Sequence, residues 1–147
     1  MSAGQWVLVA SVALALGFGL YRAWADGRFS GTHRVRGAAE ETPAPVSVLA
    51  DADLEHELGE RATLLQFSSA FCAPCRATRR ILADVAATVP GVVHVEVDAE
   101  HHLELVRRLG ILRTPTTLVL DPHGREVTRA AGAPRKEQVL HALAEMV

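Results

Sequence analysis

The sequence is poor in cysteine, with only two cysteines in 147 residues. This number excludes a small domain stapled by several disulfides, and the absence of a second C-x-x-C excludes a four-cysteine zinc ribbon. Net charge is also low, because 15 basic and 17 acidic side chains give −2, which argues against a basic nucleic-acid binder and an acidic tail. The hydrophobic share of 49% is typical of a folded chain. We therefore expect a folded protein with no nucleic acid partner.

One long segment lacks charge altogether, since residues 2–21 contain no acidic or basic side chain. The stretch Trp6–Trp24 is long enough to span a bilayer core as a helix, and Trp6, Tyr21 and Trp24 bracket it as interfacial aromatics do. The sequence predicts an uncleaved membrane anchor over residues 1–24. Two alternatives remain: a signal peptide cleaved after Ala25, although no Lys or Arg precedes the apolar run, and a buried core helix.

Positive charge follows the apolar run and does not precede it. The first basic residues after it are Arg22, Arg28, Arg34 and Arg36, and the positive-inside rule then favours a cytoplasmic domain on a single-pass anchor in the cell membrane. Residues 25–45 are predicted to be a linker, stiffened by Pro43-Ala44-Pro45. The folded domain is predicted over 46–147, a normal single-domain size.

Within that domain, apolar strand-like runs alternate with helical periodicity, which predicts a layered α/β sheet. Predicted strands cover 46–50, 63–67, 92–98, 116–120 and 125–131. Predicted helices run from Asp51 to Gly59, from Cys75 to Thr88, over 101–109, and from Pro134 to the end, the last with Leu140, Leu143 and Val147 facing inward. The order is βαβαβαββα, with a closing antiparallel hairpin.

The chemistry lies in Phe71-Cys72-Ala73-Pro74-Cys75, between a strand and the helix that follows it. Cys72 falls at the helix N-terminus, where unpaired N–H groups and the macrodipole favour a thiolate. Cys75 lies about one turn deeper and can attack a mixed disulfide made by Cys72. The alternatives are half of a metal site, which would need two further ligands, and two chance buried thiols.

At this point the chain resembles the thioredoxin family over residues 46–147. The resemblance rests on Phe71-Cys72-Ala73-Pro74-Cys75, on Val97-Asp98 at a strand end, on the segment Gly110–Thr116, and on Gly124 and Gly132. It implies a three-layer α/β fold with a mixed central sheet. It also implies that Pro115 is cis beside the redox pair and that Thr114 offers backbone hydrogen bonds to an extended substrate. Phe71 and Pro74 join Thr114 and Pro115 as expected substrate-binding residues.

Three departures from the family pattern stand out. Phe71 stands where thioredoxins usually have Trp, and Ala73-Pro74 stands where Gly-Pro is usual. Gln66 takes the place of a buried acid six residues before the first cysteine, and His94 takes the place of a lysine that partners this acid. Since Gln66 cannot ionise and a His titrates near neutral pH, we consider His94 and Gln66 as possible participants in proton transfer.

The sequence thus predicts a membrane-tethered thiol–disulfide oxidoreductase acting on protein disulfides, with Cys72 attacking and Cys75 resolving. The expected partners are protein disulfide or dithiol substrates, a reductase or membrane electron donor, and the lipid bilayer. We expect a monomer without metal or organic cofactor. The alternative is a non-catalytic or partner-specific tethered module that binds peptides.

Overall fold

The computed structural model describes residues 2–25, 27–31 and 58–146. Four helices and five strands lie in these ranges. In chain order they are α1 (Ala3–Ala25), β1 (Phe29–Gly31), β2 (Ala62–Ser68), α2 (Ala73–Thr88), β3 (Val92–Asp98), α3 (Leu103–Arg108), β4 (Thr116–Leu120), β5 (Glu126–Ala131) and α4 (Lys136–Ala144).

The strands form one mixed sheet in the order β1-β5-β4-β2-β3. The β2–β3 pair is parallel because α2 connects these two strands as a crossover. The other pairs are antiparallel, and the turn after Leu120 joins β4 to β5 as a hairpin. The carboxyl end of β2, the amino end of β4 and the carboxyl end of β5 therefore lie at one end of the sheet.

Two apolar clusters cover the two faces of this sheet. On one face, α3 packs on alternating residues of the central strands, listed here in chain order: Leu65, Phe67, Val95, Val97, Leu118 and Leu120. On the other face, α2 and α4 contribute Leu82, Val85 and Val139 against Leu64 and Val119. Each such fully buried side chain contributes roughly 1.5–3 kcal/mol. The helix–sheet–helix layers confirm the predicted three-layer α/β fold with a mixed sheet.

The predicted strands and helices from 63 onward are present, with bounds that differ by a few residues. The predicted strand over 46–50 and most of the helix from Asp51 lie outside the described residues. In α4 the inward face differs from the prediction, because Val139, Ala142 and Leu143 are buried whereas Leu140 is 37% exposed. Val147 also lies outside the described residues.

One strand was not predicted from the sequence. Residues 29–31 fall in the predicted linker, yet Phe29 pairs with Ala130 and Gly31 pairs with Thr128 as an edge strand on β5. A three-residue strand has too few residues to show a period, so its position depends on β5, which lies about 100 residues further along the chain. Ala25, also placed in the predicted linker, is the last residue of α1, and the part of the linker after Gly31, including Arg34 and Arg36, lies outside the described residues.

Helix α1 is long, apolar and exposed. Its 23 residues extend about 35 Å, and the stretch Gly4–Arg22 is long and apolar enough to cross a bilayer, a test that a signal sequence also passes. Every α1 side chain that the structure describes is exposed, including Trp6 at 61% and Trp24 at 64%. This exposure is the opposite of what a buried core helix would show.

Candidate active site

The redox pair lies where β2 ends and α2 begins. Cys72 is the N-cap residue of α2, and its Sγ accepts a hydrogen bond from the backbone N–H of Cys75 at 3.1 Å. Pro74 occupies the first turn, where a missing backbone N–H costs the helix nothing. Cys72 is half-buried, Cys75 is 2% exposed, and the two form a disulfide. Cys72, the more accessible of the two residues, therefore lies at the amino end of α2, as predicted.

The loop before β4 contacts the loop after β2. The hydroxyl groups of Ser69 and Thr114 lie 3.1 Å apart, within hydrogen-bonding distance across 45 residues of sequence. The Thr114–Pro115 peptide bond is cis, as the resemblance implied. The Pro115 carbonyl accepts a hydrogen bond from the Gly132 N–H at 2.8 Å. The fold thus brings the two separate sequence motifs to the same end of the sheet.

Two apolar side chains at this end are almost fully exposed, Phe71 at 98% and Leu112 at 96%. Phe71 was predicted as a site residue, whereas Leu112 was missed. The signal that could have found it is an apolar residue two positions before Thr114 in a loop rather than in a helix or strand. Exposed aromatic and aliphatic side chains beside a reactive group suit contact with a partner polypeptide.

A shallow depression of about 430 Å³ lies beside the disulfide, and its lining includes Cys72, Cys75, Arg76, Arg79, Glu96 and Asp98. Arg79 forms a two-point ion pair with Glu96, with nitrogen–oxygen distances of 2.6 and 2.5 Å. The Ser68 hydroxyl donates to the same carboxylate. Sequence reasoning missed Glu96, although it lies two residues after His94 and therefore on the same sheet face.

The Glu96 carboxylate is held ionised in this setting. Burial acts to raise its pKa, but hydrogen bonds from Arg79 and Ser68, together with the Arg79 charge, bring the pKa below its usual value. The positive charge of Arg79 is therefore paired with Glu96 instead of being free to act on the Cys72 thiolate. Arg76, which is exposed, is the other basic side chain in the lining of the depression.

Gln66 and His94 lie under α2, with Gln66 between His94 and Cys75. Gln66 is fully buried; its Nε2 donates to the Cys75 carbonyl at 3.0 Å, and its Oε1 lies 3.2 Å from His94 Nε2. Because the amide NH₂ is directed at Cys75, Oε1 is the acceptor, and His94 Nε2 must carry the hydrogen. The hydrogen bond of His94 thus reaches the amide and not a sulfur atom.

Burial lowers the pKa of the His94 imidazole, an effect opposed by the negative charge of Glu96 and reinforced by the positive charge of Arg79. The imidazole is therefore neutral near pH 7, with Nδ1 as its basic atom. Since a glutamine amide cannot relay a proton in this pH range, a proton-transfer role for His94 would need a route that avoids Gln66.

Comparison with known proteins identifies the family. The family model described as Thioredoxin matches residues 45–145. The chain belongs to the thioredoxin family. The thioredoxin of Alicyclobacillus acidocaldarius subsp. acidocaldarius is 31% identical over 101 residues, which cover 67% of this chain and 95% of that one.

Other relatives overlap less completely. Thioredoxin H-type 1 of Nicotiana tabacum is 32% identical over 78 residues, 53% of this chain and 61% of that protein. Thioredoxin domain-containing protein 2 of Homo sapiens is 36% identical over 72 residues, which are 47% of this chain and 13% of that protein. The chain thus spans less than two thirds of the length of these two relatives.

Solved thioredoxin structures share the fold. Fasciola hepatica thioredoxin has a TM-score of 0.53 at 22% identity, covering 60% of this chain and 84% of that one. The Schistosoma mansoni thioredoxin pre-protein has a TM-score of 0.54 at 18% identity, covering 68% and 87%. In this thioredoxin, the Cys72–Cys75 pair supports thiol–disulfide redox chemistry.

Proposed function

We propose that the chain is a membrane-tethered thiol–disulfide oxidoreductase that reduces disulfides of protein substrates. The observation that carries the proposal is the environment of Cys72: its sulfur caps α2 and accepts the Cys75 N–H at 3.1 Å, and Cys72 is the more exposed residue of the pair. A thiolate at a helix N-terminus has a lowered pKa and is the nucleophilic form of cysteine. A purely peptide-binding module would need neither sulfur.

The reaction balances over two exchange steps. The Cys72 thiolate attacks one sulfur of the substrate disulfide, forms a mixed disulfide and releases the other substrate sulfur as a thiolate. The Cys75 thiolate then attacks the Cys72 sulfur, which releases the second substrate thiolate and leaves the Cys72–Cys75 disulfide. Two electrons pass to the substrate, and its two thiolates take up protons. A dithiol reductase or a membrane electron donor restores the reduced pair.

The substrate binds as an extended segment over the loops at the redox end of the sheet. Phe71 and Pro74 flank the sulfur pair, and the cis Thr114–Pro115 bond precedes β4. Backbone hydrogen bonds to Thr114 would orient the peptide as an added strand, while the exposed Phe71 ring supplies apolar contact. The thioredoxin acts as a monomer in this scheme.

Insulin reduction by the full chain, with dithiothreitol as donor, tests the catalytic proposal. We expect wild type to reduce insulin and Cys72→Ser to have no activity. Cys75→Ser is the matched control, because it retains the nucleophile and should accumulate a mixed disulfide. Alkylation of the reduced protein at pH 7 should label Cys72 much faster than Cys75. An inactive wild type, or equal labelling rates, would contradict the proposal.

Membrane partition tests the tether independently. We propose that α1 remains attached and holds the protein in the bilayer, with the domain on the cytoplasmic side, because Arg22 lies in the last turn of the helix and Arg28 follows it. The isolated protein should sediment with membranes, resist carbonate extraction and retain Met1 or Ser2. An N-terminus at Asp26 would show cleavage after Ala25 and rule out the anchor. A reporter fused after Val147 gives the side of the membrane.

A further inference from the structure

The chain enters the catalytic sheet at the end that carries the redox pair. The backbone N–H of Gly27 donates to the Ala131 carbonyl at 3.0 Å. From there β1 runs antiparallel to β5, pairing Phe29 with Ala130 and then Gly31 with Thr128. Since β5 ends at Ala131, beside the start of β4, the first residues after α1 lie at the same sheet end as Pro115.

Backbone hydrogen bonds link this entry point to the substrate loop. Ala131 accepts from Gly27, and the next residue, Gly132, donates to the Pro115 carbonyl at 2.8 Å. Strands β1 and β2 are three positions apart in the sheet, a separation of about 14 Å. The end of the proposed anchor and the Cys72 sulfur thus lie at one end of the domain, a short lateral distance apart.

The connection between α1 and β1 is short, so the end of α1 must lie near the redox end of the sheet. Only Asp26 separates Ala25, the last helical residue, from the hydrogen-bonded Gly27, so the chain can extend no more than about 7 Å there. Gly27 has φ +75°, and a Cβ at this position would lie 2.2 Å from the Ala133 carbonyl oxygen. The Arg28 guanidinium lies 4.2 Å from the centroid of the Trp24 ring. The described residues on the two sides of Asp26 therefore lie close together.

The described side chains of α1 are exposed, so the helix does not pack its described side chains into the domain core. If α1 occupies the bilayer, the sheet end nearest the membrane is the redox end. Phe71 and Leu112, both more than nine-tenths exposed, lie in the loops of that end. The opposite end, with the β4–β5 turn at Asp121–Gly124, is directed away from the lipid.

Resting on the proposed tether and redox function, we propose that this thioredoxin faces the bilayer with its redox end. Its substrates are then disulfides of integral membrane proteins at the level of the lipid headgroups. A disulfide held at that height meets Cys72 without any unfolding of the domain, whereas one carried far above the surface is out of reach. The anchor thus attaches the domain and also limits its substrates to disulfides close to the membrane surface.

The orientation of the domain relative to the bilayer can be measured without an activity assay. A fluorophore is attached to Ala70→Cys at the redox end or to His123→Cys at the far turn, both in a Cys72→Ser/Cys75→Ser background. Both positions are exposed. The full chain is placed in phosphatidylcholine vesicles containing a lipid with a headgroup nitroxide. We expect quenching several-fold stronger at position 70 than at 123, and equal or reversed quenching would overturn the proposal.

An insertion separates orientation from catalysis. A Gly/Ser segment of about 20 residues between Ala25 and Asp26 spans roughly 25 Å and leaves β1 and the redox pair in place. The probe substrate is a synthetic transmembrane helix with a fluorophore disulfide-linked at headgroup level, and a matched helix carries the same disulfide on a rigid stalk. Wild type should reduce the headgroup-level probe at least about tenfold faster than the stalk probe, and the insertion should remove this preference.

Insulin reduction should be unchanged by the insertion. Loss of insulin reduction in wild type, with strong quenching at position 70, would remove the proposed redox function and leave the orientation intact. The opposite result, active insulin reduction without a height preference, would overturn the substrate class proposed here. An unaltered height preference in the insertion variant would show that the junction is not its cause.

Discussion

Neighbouring residues of β2 and β3 lie in two different environments. On the α3 face, Phe67 is fully buried among apolar side chains. On the α2 face near the redox end, Gln66 is equally buried but hydrogen-bonded to Cys75 and His94. Two buried hydroxyl groups on this same side, those of Thr78 and Thr117, have no hydrogen-bond partner among the described residues.

The comparison shows what each face contributes. The apolar face supplies free energy of folding from buried area. The polar face gives up part of that contribution, because a buried amide is tolerated only when it is hydrogen-bonded. The hydrogen bonds of this face fix the carbonyl of Cys75 through Gln66 and place the titratable imidazole of His94 on the other side of Gln66. Substitutions on the two faces should therefore affect different measurements.

The largest effect on stability is expected on the apolar face. Phe67→Ala removes a fully buried ring and should lower the free energy of unfolding by about 3–5 kcal/mol. Urea denaturation of the protein measures this loss. The fraction that remains folded should alkylate Cys72 at the wild-type rate, and a changed rate would show that the two faces are not independent.

A smaller loss of stability, with a redox phenotype, is expected one residue away. Gln66→Leu keeps the volume but removes the amide hydrogen bond to the Cys75 carbonyl and leaves the His94 Nε2–H without its acceptor, which should cost about 1–3 kcal/mol. The step in which Cys75 resolves the mixed disulfide should slow, because the position of Cys75 is no longer fixed. Stopped-flow measurement of this step tests the assignment, and Gln66→Glu, which keeps an acceptor for His94 but loses the amide donor to the Cys75 carbonyl, separates the two contacts. An unchanged resolving rate in Gln66→Leu would make Gln66 a packing residue only.

The sequence predicts the parts of this molecule that local patterns specify. The alternation of Val93, Val95 and Val97 predicts β3 with its observed bounds, and the C-x-x-C motif predicts the start of α2. These features depend on periodicity and on helix capping, which act over a few residues.

The features that were missed depend on residues far apart in the chain. Strand β1 exists only through its pairing with β5, and the Arg79–Glu96 pair joins a helix to a strand across 17 residues. The predicted inward position of Leu140 is wrong because Val139, Ala142 and Leu143 form the buried face of α4. The apolar pattern of α4 allows either of two faces to be buried, and packing against α2 determines which one is.

The smallest effect concerns the pH dependence conferred by His94. Since its pKa is lower in the folded state than the ordinary value near 6.5, the unfolded chain binds the proton more readily. Stability should therefore be fully present above about pH 6.5 and decrease as pH falls from there towards the folded-state pKa. His94→Gln retains a donor for Gln66 and cannot titrate, so its urea midpoint should vary less between pH 7 and 5. The Glu96 pair adds a second loss below about pH 4.5, as its lowered pKa is passed, and this loss should persist in the variant.

The same variant distinguishes two roles for His94. A general base that takes the Cys75 proton predicts that His94→Gln slows the resolving step roughly tenfold or more and removes its acidic limb near pH 6–7. A residue that only orients Gln66 predicts an unchanged kinetic profile, because the glutamine that replaces it preserves the hydrogen bond. Nε2 donates to Gln66, and the amide cannot pass a proton onward, so the contacts of this face support the orienting role. We therefore expect His94→Gln to remove the pH dependence of the urea midpoint between pH 7 and 5 while the acidic limb of the resolving rate remains. Loss of both would establish His94 as the base.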